Sequence, residues 1–489
     1  MTPWQTLIPI QKDSSVPVYL QIANSIIKEI KSGVLKPRLK MPGSRELSES
    51  LQVHRKTVVN AYDELDAQGW ITLKPYSGTF VSEKLPETTP VKLRVAPFRP
   101  DQTAETGYKI KPGSQVRDPV PTSRELSGFH DGPDVRLVPL AQLASAYRGV
   151  LTRKFALHNW SYVDVEGKTL LRKVLSEDLN MTRGMHTSPD NIFITRGSQM
   201  GIFMLSQLLL DKDDLVIVGE VDFYYACNTF THVGARLLKV RVDDMGIDVD
   251  QIEEECRKRK IRAVYVTAHH HYPTTVTLCA ARRMKLLSLS EQYGFIIIED
   301  DYDYDFHYHS GPILPLASAD RKGMVVYLGT LSKSIAPAIR IGYVAAPKNL
   351  ILELGKLRQI IDVQGDPVME QAVAELFVTG EIRRHMKKAL KEYRQRRDYM
   401  SALLRDRLGE VIDFRTPEGG LAIWAKYEQG IDLPELSRKV REKGIVLSNG
   451  LIHDSAAGKK LNSTRMGFGW MNREEAEKAV EVLWNAVKS

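Results

Sequence analysis

A segment around Lys333 combines the residue types that an aldehyde cofactor carrying a phosphate group requires. It runs from Tyr327 to Tyr343 as a strand ending at Leu328, small hydroxyl residues, the lysine and, seven residues later, Arg340. A lysine amine can form a Schiff base with an aldehyde, and hydroxyl groups beside a fixed cation can hold a phosphate. Because a Ser-Lys pair in a loop is usually only a surface lysine, other segments must supply the rest of the site.

Carboxylates and a tyrosine follow the apolar stretch Phe295–Ile298. Asp300 and Tyr302 come at its end. A buried carboxylate there can keep a pyridine nitrogen protonated, and a tyrosine two residues on can reach a phenolic oxygen. The alternating aspartates also suggest a calcium loop, but the position that needs glycine in an EF-hand holds Phe306. We therefore favour the cofactor interpretation.

Two further strand ends carry polar residues. Residues 194–199 form a strand and a glycine turn before the apolar helix Met200–Leu210. The free amides of a helix N-terminus and the Ser198 hydroxyl make a natural phosphate site. After the strand Leu215–Val218, Tyr224 could lie against a cofactor ring.

The first eighty residues show a helical pattern followed by a two-stranded one. Residues 18–31 place apolar side chains on one helical face, a turn at residues 42–44 precedes a short second helix, and a third helix begins near His54. Residues 70–81 alternate, turn at Ser77-Gly78 and alternate again. The pattern predicts a small helical domain with a β-wing.

After this segment, strand-like runs alternate with amphipathic helical stretches, which is typical of a mostly parallel α/β sheet. The predicted strands are Ile192–Thr195, Leu215–Val218, Ala263–Thr267, Phe295–Glu299 and Met324–Leu328. Long helices are predicted around Glu370–Phe377 and Ile382–Leu404, and residues from about Phe414 to Ser489 would form a smaller C-terminal subdomain.

Length and proline content predict the domain boundaries. A chain of 489 residues is too long for one core, and seven of its 24 prolines fall between residues 84 and 121. We therefore predict an N-terminal domain over residues 10–82, a proline-rich linker over 83–125 and a large domain over 126–489.

The composition is that of an ordinary globular protein, with 43% hydrophobic and 26% charged residues. No apolar run is long enough to cross a bilayer, and the N-terminus lacks a signal-peptide pattern. The three cysteines lie far apart without metal-ligand spacing, so we expect a reducing, cytoplasmic compartment. The net charge is +8, and residues 1–82 carry ten Lys or Arg against seven Asp or Glu, which is consistent with nucleic-acid binding there.

The N-terminal segment resembles the GntR-type winged helix-turn-helix. The motif of that family is met by Pro42–Arg45, His54–Val58, Ala61–Leu65 and Tyr76–Val81. The resemblance implies binding to a double-stranded DNA operator, and it places at the DNA the residues Arg45, Arg55, Lys56, Thr57, Lys74 and Gly78. The alternative is a solvated basic face on a small helical domain.

The large domain resembles the fold-type I aminotransferase-like domains that bind pyridoxal 5'-phosphate (PLP), and the whole chain resembles the MocR/GabR family of regulators. The resemblance implies an α/β fold with a mostly parallel central sheet behind the winged helix. It makes Lys333 the Schiff-base lysine, Asp300 the partner of the pyridine nitrogen and Tyr302 the partner of the phenolic oxygen. The other cofactor contacts that it implies are Ser198, Gln199, Ser332 and Arg340 at the phosphate, Tyr224 stacked on the ring, and His270.

The same resemblance implies a partner subunit and an effector. Tyr162 matches a tyrosine that reaches the phosphate of the partner subunit, which implies a homodimer, and Arg465 matches the arginine that grips a carboxylate. In residues 267–275 the chain keeps the family's His270 but lacks its Gln and Gly, and Asp222 stands where the family has Pro. These departures leave the identity of the effector open.

A run of three histidines, His269–His271, lies near His307 and His309 and raises the question of a metal ion. Adjacent residues of an extended strand point to opposite faces, so at most two of the three could share one ion. We therefore expect no metal.

These features favour a transcription regulator that senses an amino compound or PLP itself. The alternative is an aminotransferase with catalytic turnover and an accessory DNA-binding domain; a DNA-binding protein that has lost its cofactor is disfavoured by the retained lysine and phosphate cluster. A regulator requires a ligand-dependent difference between two states, so a half-reaction is expected and full turnover is not required. The operator, and the choice between activation and repression, stay open.

Overall fold

The computed structural model describes residues 4–11, 14, 16–75, 77–86, 106, 108–110, 127–153, 161–162, 164–308, 313–451 and 461–488. Most of the predicted linker, Tyr76 and His309 lie outside these ranges. The chain divides into two compact units, Met1–Lys111 and Pro112–Ser489. None of the helices in the described ranges combines the length and the apolar character that a bilayer-spanning segment needs.

The first unit is a small helical domain with a two-stranded sheet. Its elements are α1 (Trp4–Leu7), α2 (Val18–Lys31), α3 (Ser44–Leu51), α4 (Arg55–Ala67), β1 (Ile71–Lys74) and β2 (Gly78–Val81). The apolar face of α2, with Ile22 and Ile26, packs in one cluster with Leu47, Val58 and Leu65. The antiparallel pair β1 and β2 is the predicted wing.

The second unit alternates strands and helices. Its strands are β3 (Ser127–Gly128), β4 (Ile192–Thr195), β5 (Leu215–Gly219), β6 (Arg236–Val240), β7 (Val242–Asp243), β8 (Gly246–Ile247), β9 (Ala263–Val266), β10 (Ile296–Asp301), β11 (Val325–Thr330), β12 (Gly342–Ala345), β13 (Ile412–Phe414), β14 (Ala422–Tyr427), β15 (Ile445–Val446) and β16 (Ser463–Gly467). Its helices are α5 (Leu140–Thr152), α6 (Thr169–Arg183), α7 (Ser198–Leu209), α8 (Tyr224–His232), α9 (Val249–Lys258), α10 (Ala280–Tyr293), α11 (Leu316–Ala319), α12 (Lys348–Ile361), α13 (Pro367–Val378), α14 (Glu381–Leu408), α15 (Leu433–Glu442) and α16 (Arg473–Lys488).

The central sheet has seven strands in the order β4-β12-β11-β10-β9-β5-β6. Strands β11, β10, β9, β5 and β6 pair in parallel, and β12 is antiparallel to both of its neighbours. Alternate residues of a strand bury against helices on opposite faces: Val216 and Val218 belong to one core cluster, and Ile217 belongs to another. The predicted fold class, α/β with a mostly parallel sheet, is confirmed.

The C-terminal part forms its own small layer. Strands β13, β14 and β16 make an antiparallel three-stranded sheet, and its apolar side chains cluster with those of α14 and α16. Strand β15 pairs in parallel with β3, so the beginning of the large unit is tied to this layer. The smaller C-terminal subdomain predicted from residue 414 onward is thus present.

Candidate functional site

The predicted cofactor residues lie where four strands of the central sheet end. Ser198 begins α7 after β4, Tyr224 begins α8 after β5, Asp300 lies near the end of β10, and Lys333 follows β11. Strands β5, β10 and β11 run in one direction, and β4 shares it because β12 is antiparallel to both β4 and β11, so the carboxyl ends of all four meet at one edge of the sheet. The topology therefore collects residues that are far apart in the sequence.

The Lys333 amine points toward a residue that the sequence analysis did not single out. Its Nζ donates to the main-chain oxygen of Asp131 at 2.6 Å and lies 3.4 Å from Asp131 Oδ1. The lysine side chain is mostly buried. An amine in this position can meet an aldehyde without being surrounded by bulk water.

Asp300 is buried and only half satisfied. Its Oδ2 accepts a hydrogen bond from the Tyr265 hydroxyl at 2.8 Å, whereas its Oδ1 is buried without a partner among the described residues. Burial raises the pKa of Asp300 to about 7. A protonated ring nitrogen would give Oδ1 a charged donor and stabilise the carboxylate. The free oxygen therefore fits the pyridine nitrogen of PLP.

A cup suited to a phosphate lies between the N-terminus of α7 and Arg340. Gly197 has φ +79°, and a Cβ built on it would lie 2.4 Å from Arg340 Nη2, so the glycine lets the guanidinium approach the helix start. Arg340 Nη2 donates to the Arg196 carbonyl at 2.9 Å. Gln199 Oε1 and Ser332 Oγ are buried without hydrogen-bond partners in the described part of the chain. Free helix amides, a cation and unsatisfied polar atoms fit a phosphate group.

Tyr302 and His270 are coupled through the main chain. The Tyr302 hydroxyl donates to the His270 carbonyl at 2.9 Å, and the His270 ring Nδ1 lies 2.8 Å from Asp303 Oδ1. His270 therefore supports Tyr302 in this structure. Tyr224 is half-buried, whereas Tyr162 is 82% exposed on its own chain.

Arg465, on β16, reaches the same pocket from the C-terminal layer. Its Nε donates to Asp131 Oδ2 at 3.1 Å, its Nη1 donates to the Pro273 carbonyl at 3.1 Å, and its Nη2 lies 3.4 Å from the Tyr302 hydroxyl. The guanidinium is buried against the rings of Tyr272 and Tyr302. The structure thus brings Lys333 and Arg465 to one carboxylate.

The departure at Asp222 has a structural explanation. Asp222 Oδ2 accepts from the Gly219 amide and its Oδ1 accepts from the Phe223 amide, both at 2.8 Å, so the side chain fixes the turn from β5 into α8. Burial raises its pKa to about 7. Where the family uses proline to stiffen this turn, the chain uses side-chain hydrogen bonds.

The histidines lie closer together than the sequence predicts. Strand β9 ends at Val266, so alternation does not apply to the following residues, and ligand atoms of His269, His270 and His307 lie within 4.8 Å of one another. His269 Nε2 and His307 Nδ1 are 3.1 Å apart. Burial, the neighbouring histidines, Arg283 and Arg183 all lower the pKa of His269. Because the two arginines oppose another cation, the absence of a metal stays our prediction.

The predicted DNA residues lie on the first unit in two places. Arg45, near the start of α3, and Arg55 and Lys56, at the start of α4, are exposed, and Thr57 is half-buried. Arg55 Nε donates to Ser44 Oγ at 3.2 Å, which links the two helix starts. Lys74 and Gly78 are exposed on the wing, where Gly78 has φ +109°. A basic helix start beside a wing can meet phosphates and base edges.

The large unit has the fold of aminotransferases. A solved structure of a kynurenine aminotransferase from Pyrococcus horikoshii superposes with a TM-score of 0.69 at 26% identity, covering 75% of this chain and 91% of that one. The profile of aminotransferase classes I and II matches residues 158–483. Aminotransferases of these classes depend on PLP.

Two relatives that match nine-tenths or more of the chain are named as regulators. A probable rhizopine catabolism regulatory protein, MocR, from Rhizobium meliloti is 25% identical over 90% of this chain and 88% of its own length. An HTH-type transcriptional regulator, YdfD, from Bacillus subtilis is 27% identical over 98% of both chains. The profile of the gntR family of bacterial regulatory proteins matches residues 18–81. The chain therefore belongs to the class I and II aminotransferase family and carries a gntR-family winged helix ahead of that domain, the composition of the MocR-type regulators.

Proposed function

We propose that this protein is a DNA-binding transcription regulator that holds PLP on Lys333 and senses an amino compound, or PLP itself, in its large domain. The observation that carries the proposal is the meeting of Lys333, the free Asp300 oxygen and the phosphate cup at one sheet edge, in a chain that begins with a winged helix. The DNA-binding assignment in turn supports a cytoplasmic location.

Each residue has a role at the bound cofactor. PLP supplies an aldehyde that amines attack and a ring that withdraws electrons. The Lys333 amine would hold the aldehyde carbon, and Asp300 Oδ1 would accept a hydrogen bond from the protonated ring nitrogen. The phosphate would be held by Ser198, Gln199, Ser332 and Arg340.

Aromatic and polar side chains would orient the ring. Tyr302 would donate its single hydroxyl hydrogen to the phenolic oxygen in place of the His270 carbonyl, which accepts it in this structure, and Tyr224 would stack on the ring face. Tyr162 would reach the phosphate of a partner subunit in a homodimer. Arg465 favours an effector that carries a carboxylate beside its amine.

The second candidate is an aminotransferase with turnover. It uses the same residues, and the match to the aminotransferase profile favours it. The winged helix separates the two functions, because turnover of free amino acids needs no DNA-binding domain. Steady transamination of an amino acid with a 2-oxo acid, many times per protein molecule, would support this candidate.

The test is the visible absorption of the purified protein beside two variants. We expect a band from bound PLP that is absent in Lys333→Ala and present in Lys322→Ala, which removes an exposed lysine. Amines that shift the band should also change the affinity for duplex DNA, followed by fluorescence anisotropy. A wild-type protein without the band after incubation with PLP would contradict the cofactor assignment.

A further inference from the structure

Asp131 fills the space between the two groups that would recognise an amino acid. One carboxylate oxygen, Oδ1, lies 3.4 Å from Lys333 Nζ, and the other accepts from Arg465 Nε at 3.1 Å. Burial raises the pKa of Asp131, but the charges of Lys333 and Arg465 outweigh this effect and hold it well below its usual range. A charged, half-buried carboxylate of the chain itself thus bridges the amine and the guanidinium.

An amino acid presents the same chemistry to the same two groups. Its amine would approach the cofactor held at Lys333, and its carboxylate would approach Arg465. We infer that Asp131 is an internal competitor of the effector, which a carboxylate-bearing amine must displace from Arg465 in order to bind. The inference rests on the proposed function, in which Lys333 and Arg465 form the effector site.

The hydrogen bonds of Arg465 require that the effector carboxylate replace the Asp131 carboxylate. A side-on, two-point grip on a carboxylate uses the N–H of Nε together with one terminal nitrogen, and Nε has a single N–H. That N–H is donated to Asp131, while Nη1 donates to the Pro273 carbonyl. A second carboxylate can take this side-on position only after Asp131 leaves Nε, and at the end-on position Nη1 already contacts the Pro273 carbonyl and Nη2 the Tyr302 hydroxyl.

The segment that carries Asp131 lies directly on the strand that carries Arg465. A Cβ on Gly467 would lie 1.7 Å from the His130 carbonyl oxygen, so the glycine lets the two backbones touch. The Gly467 amide donates to the Phe129 carbonyl at 3.2 Å. Release of Asp131 would therefore move a segment that packs against β16, the strand that carries Arg465.

Fixed points lie on both sides of Asp131. Before it, β3 pairs with β15; after it, the Asp134 amide donates to the Tyr393 hydroxyl oxygen at 3.0 Å and the Asp134 carboxylate pairs with Arg396. Between these points lie residues 129–133, a few positions after the predicted linker ends at residue 125. Phe129 is itself held by hydrogen bonds with Val446 and Gly467, so residues 130–133 are the part that can respond. Displacement of Asp131 would thus alter the part of the large unit next to the linker in sequence.

The experiment compares two amines of the same size in the full-length, PLP-loaded protein. L-alanine carries a carboxylate where isopropylamine carries a methyl group. Each amine is titrated into the protein, and the change in the visible band gives its affinity. In Asp131→Asn the competitor loses its charge, so the affinity for L-alanine relative to isopropylamine should rise about tenfold or more. The relative affinity cancels any effect of the variant on the amine itself. An unchanged or lower relative affinity overturns the inference.

Two controls keep the test decisive. Asp190→Asn removes an exposed carboxylate that pairs with Lys348, and it should leave the relative affinity unchanged. Asp131→Ser provides a second variant, and the PLP band shows that each variant has folded. In the wild-type protein, hydrogen exchange over residues 129–133 should rise with L-alanine and not with isopropylamine. Absence of the band in wild type contradicts the proposed function; a normal band with equal exchange for both amines contradicts the inference alone.

Discussion

Asp300 offers the most direct test of the cofactor pocket at the scale of one residue. Its Oδ1 has no partner among the described residues, so a charged donor is the group that it lacks. Asp300→Asn keeps the shape and removes the charge, and we expect PLP affinity to fall about tenfold or more. Equilibrium dialysis with PLP measures this loss. The control Tyr265→Phe removes only the hydrogen bond to Oδ2 and should lower the PLP affinity less. An Asp300→Asn variant that binds PLP like wild type would refute the assignment.

Glu370 makes stability depend on pH. It is buried in α13, accepts from the Lys168 amide at 2.7 Å, and has a pKa that burial raises to about 7. A pKa higher in the folded state than in the unfolded state means that stability is lost as the pH rises through the folded value. The Glu370→Gln side chain stays neutral at every pH. The free energy of unfolding of the variant minus that of wild type should therefore rise by on the order of 2 kcal/mol between about pH 5 and pH 8.

Denaturant unfolding at several pH values measures the Glu370 effect. Glu381→Gln serves as the control, because a hydrogen bond from Arg384 lowers the pKa of this half-buried carboxylate. The stability difference of the control should therefore stay flat or run in the opposite sense with pH. A Glu370→Gln difference that does not grow with pH would contradict the burial argument.

At the scale of elements, the start of α4 should place positively charged side chains against the DNA phosphates. Lys56 is exposed one residue past the helix start, and the His54 side chain caps this helix through the Lys56 amide. If Lys56 meets a phosphate, Lys56→Ala should weaken binding to any duplex and reduce the slope of log affinity against log salt by about 1. Anisotropy titrations over a salt series measure the slope. Lys28→Ala, at an exposed lysine of α2, should leave it unchanged, and equal slopes for both variants would move the interface elsewhere.

Most elements could be predicted from periodicity. The helix expected over residues 18–31 is α2, and the strand expected over Ile192–Thr195 is β4, because their apolar patterns are long or sharply bounded. The antiparallel direction of β12 could not be predicted. A four-residue apolar run carries no sign of its direction, which is set by the connection that folds back from β11.

The site was predictable where its residues follow strands and unpredictable where contacts are distant. Lys333 and Asp300 carry a local signal, because each comes at or just after the end of an apolar strand and has a side chain that can react or ionise. Asp131 has none: it meets Lys333 across 202 residues, in a segment that shows no motif. The convergence of His269 with His270 was missed because the histidine run was taken as extended strand, whereas β9 ends at Val266, before these residues.

At the scale of the whole molecule, apolar groups remain uncovered on the large unit. Ile360 is 84% exposed and Tyr162 is 82% exposed, and Gln364 donates to the Ser161 carbonyl, which places the two segments side by side. Exposed apolar side chains that gather in one region mark contact surfaces. If this is the dimer surface, Ile360→Glu should raise the dimer dissociation constant about tenfold or more.

Sedimentation velocity over a range of concentrations measures the dimer. Val378→Glu, at a valine that is 63% exposed on α13, is the matched control and should leave the dissociation constant unchanged. A monomeric wild-type protein would contradict the homodimer proposal. A dimer that both variants leave intact would place the interface on another face.

The two halves of the chain have separate interiors. The core of the first unit is built from residues between Ile8 and Val81, and within the described ranges the clusters of the large unit contain none of them. A substitution that repacks one interior therefore requires no compensating substitution in the other. If the protein acts as proposed, genetic recombination within the connecting residues can join a new promoter preference to an existing small-molecule preference in one event. The gene under control and the compound that is sensed would then change independently in evolution.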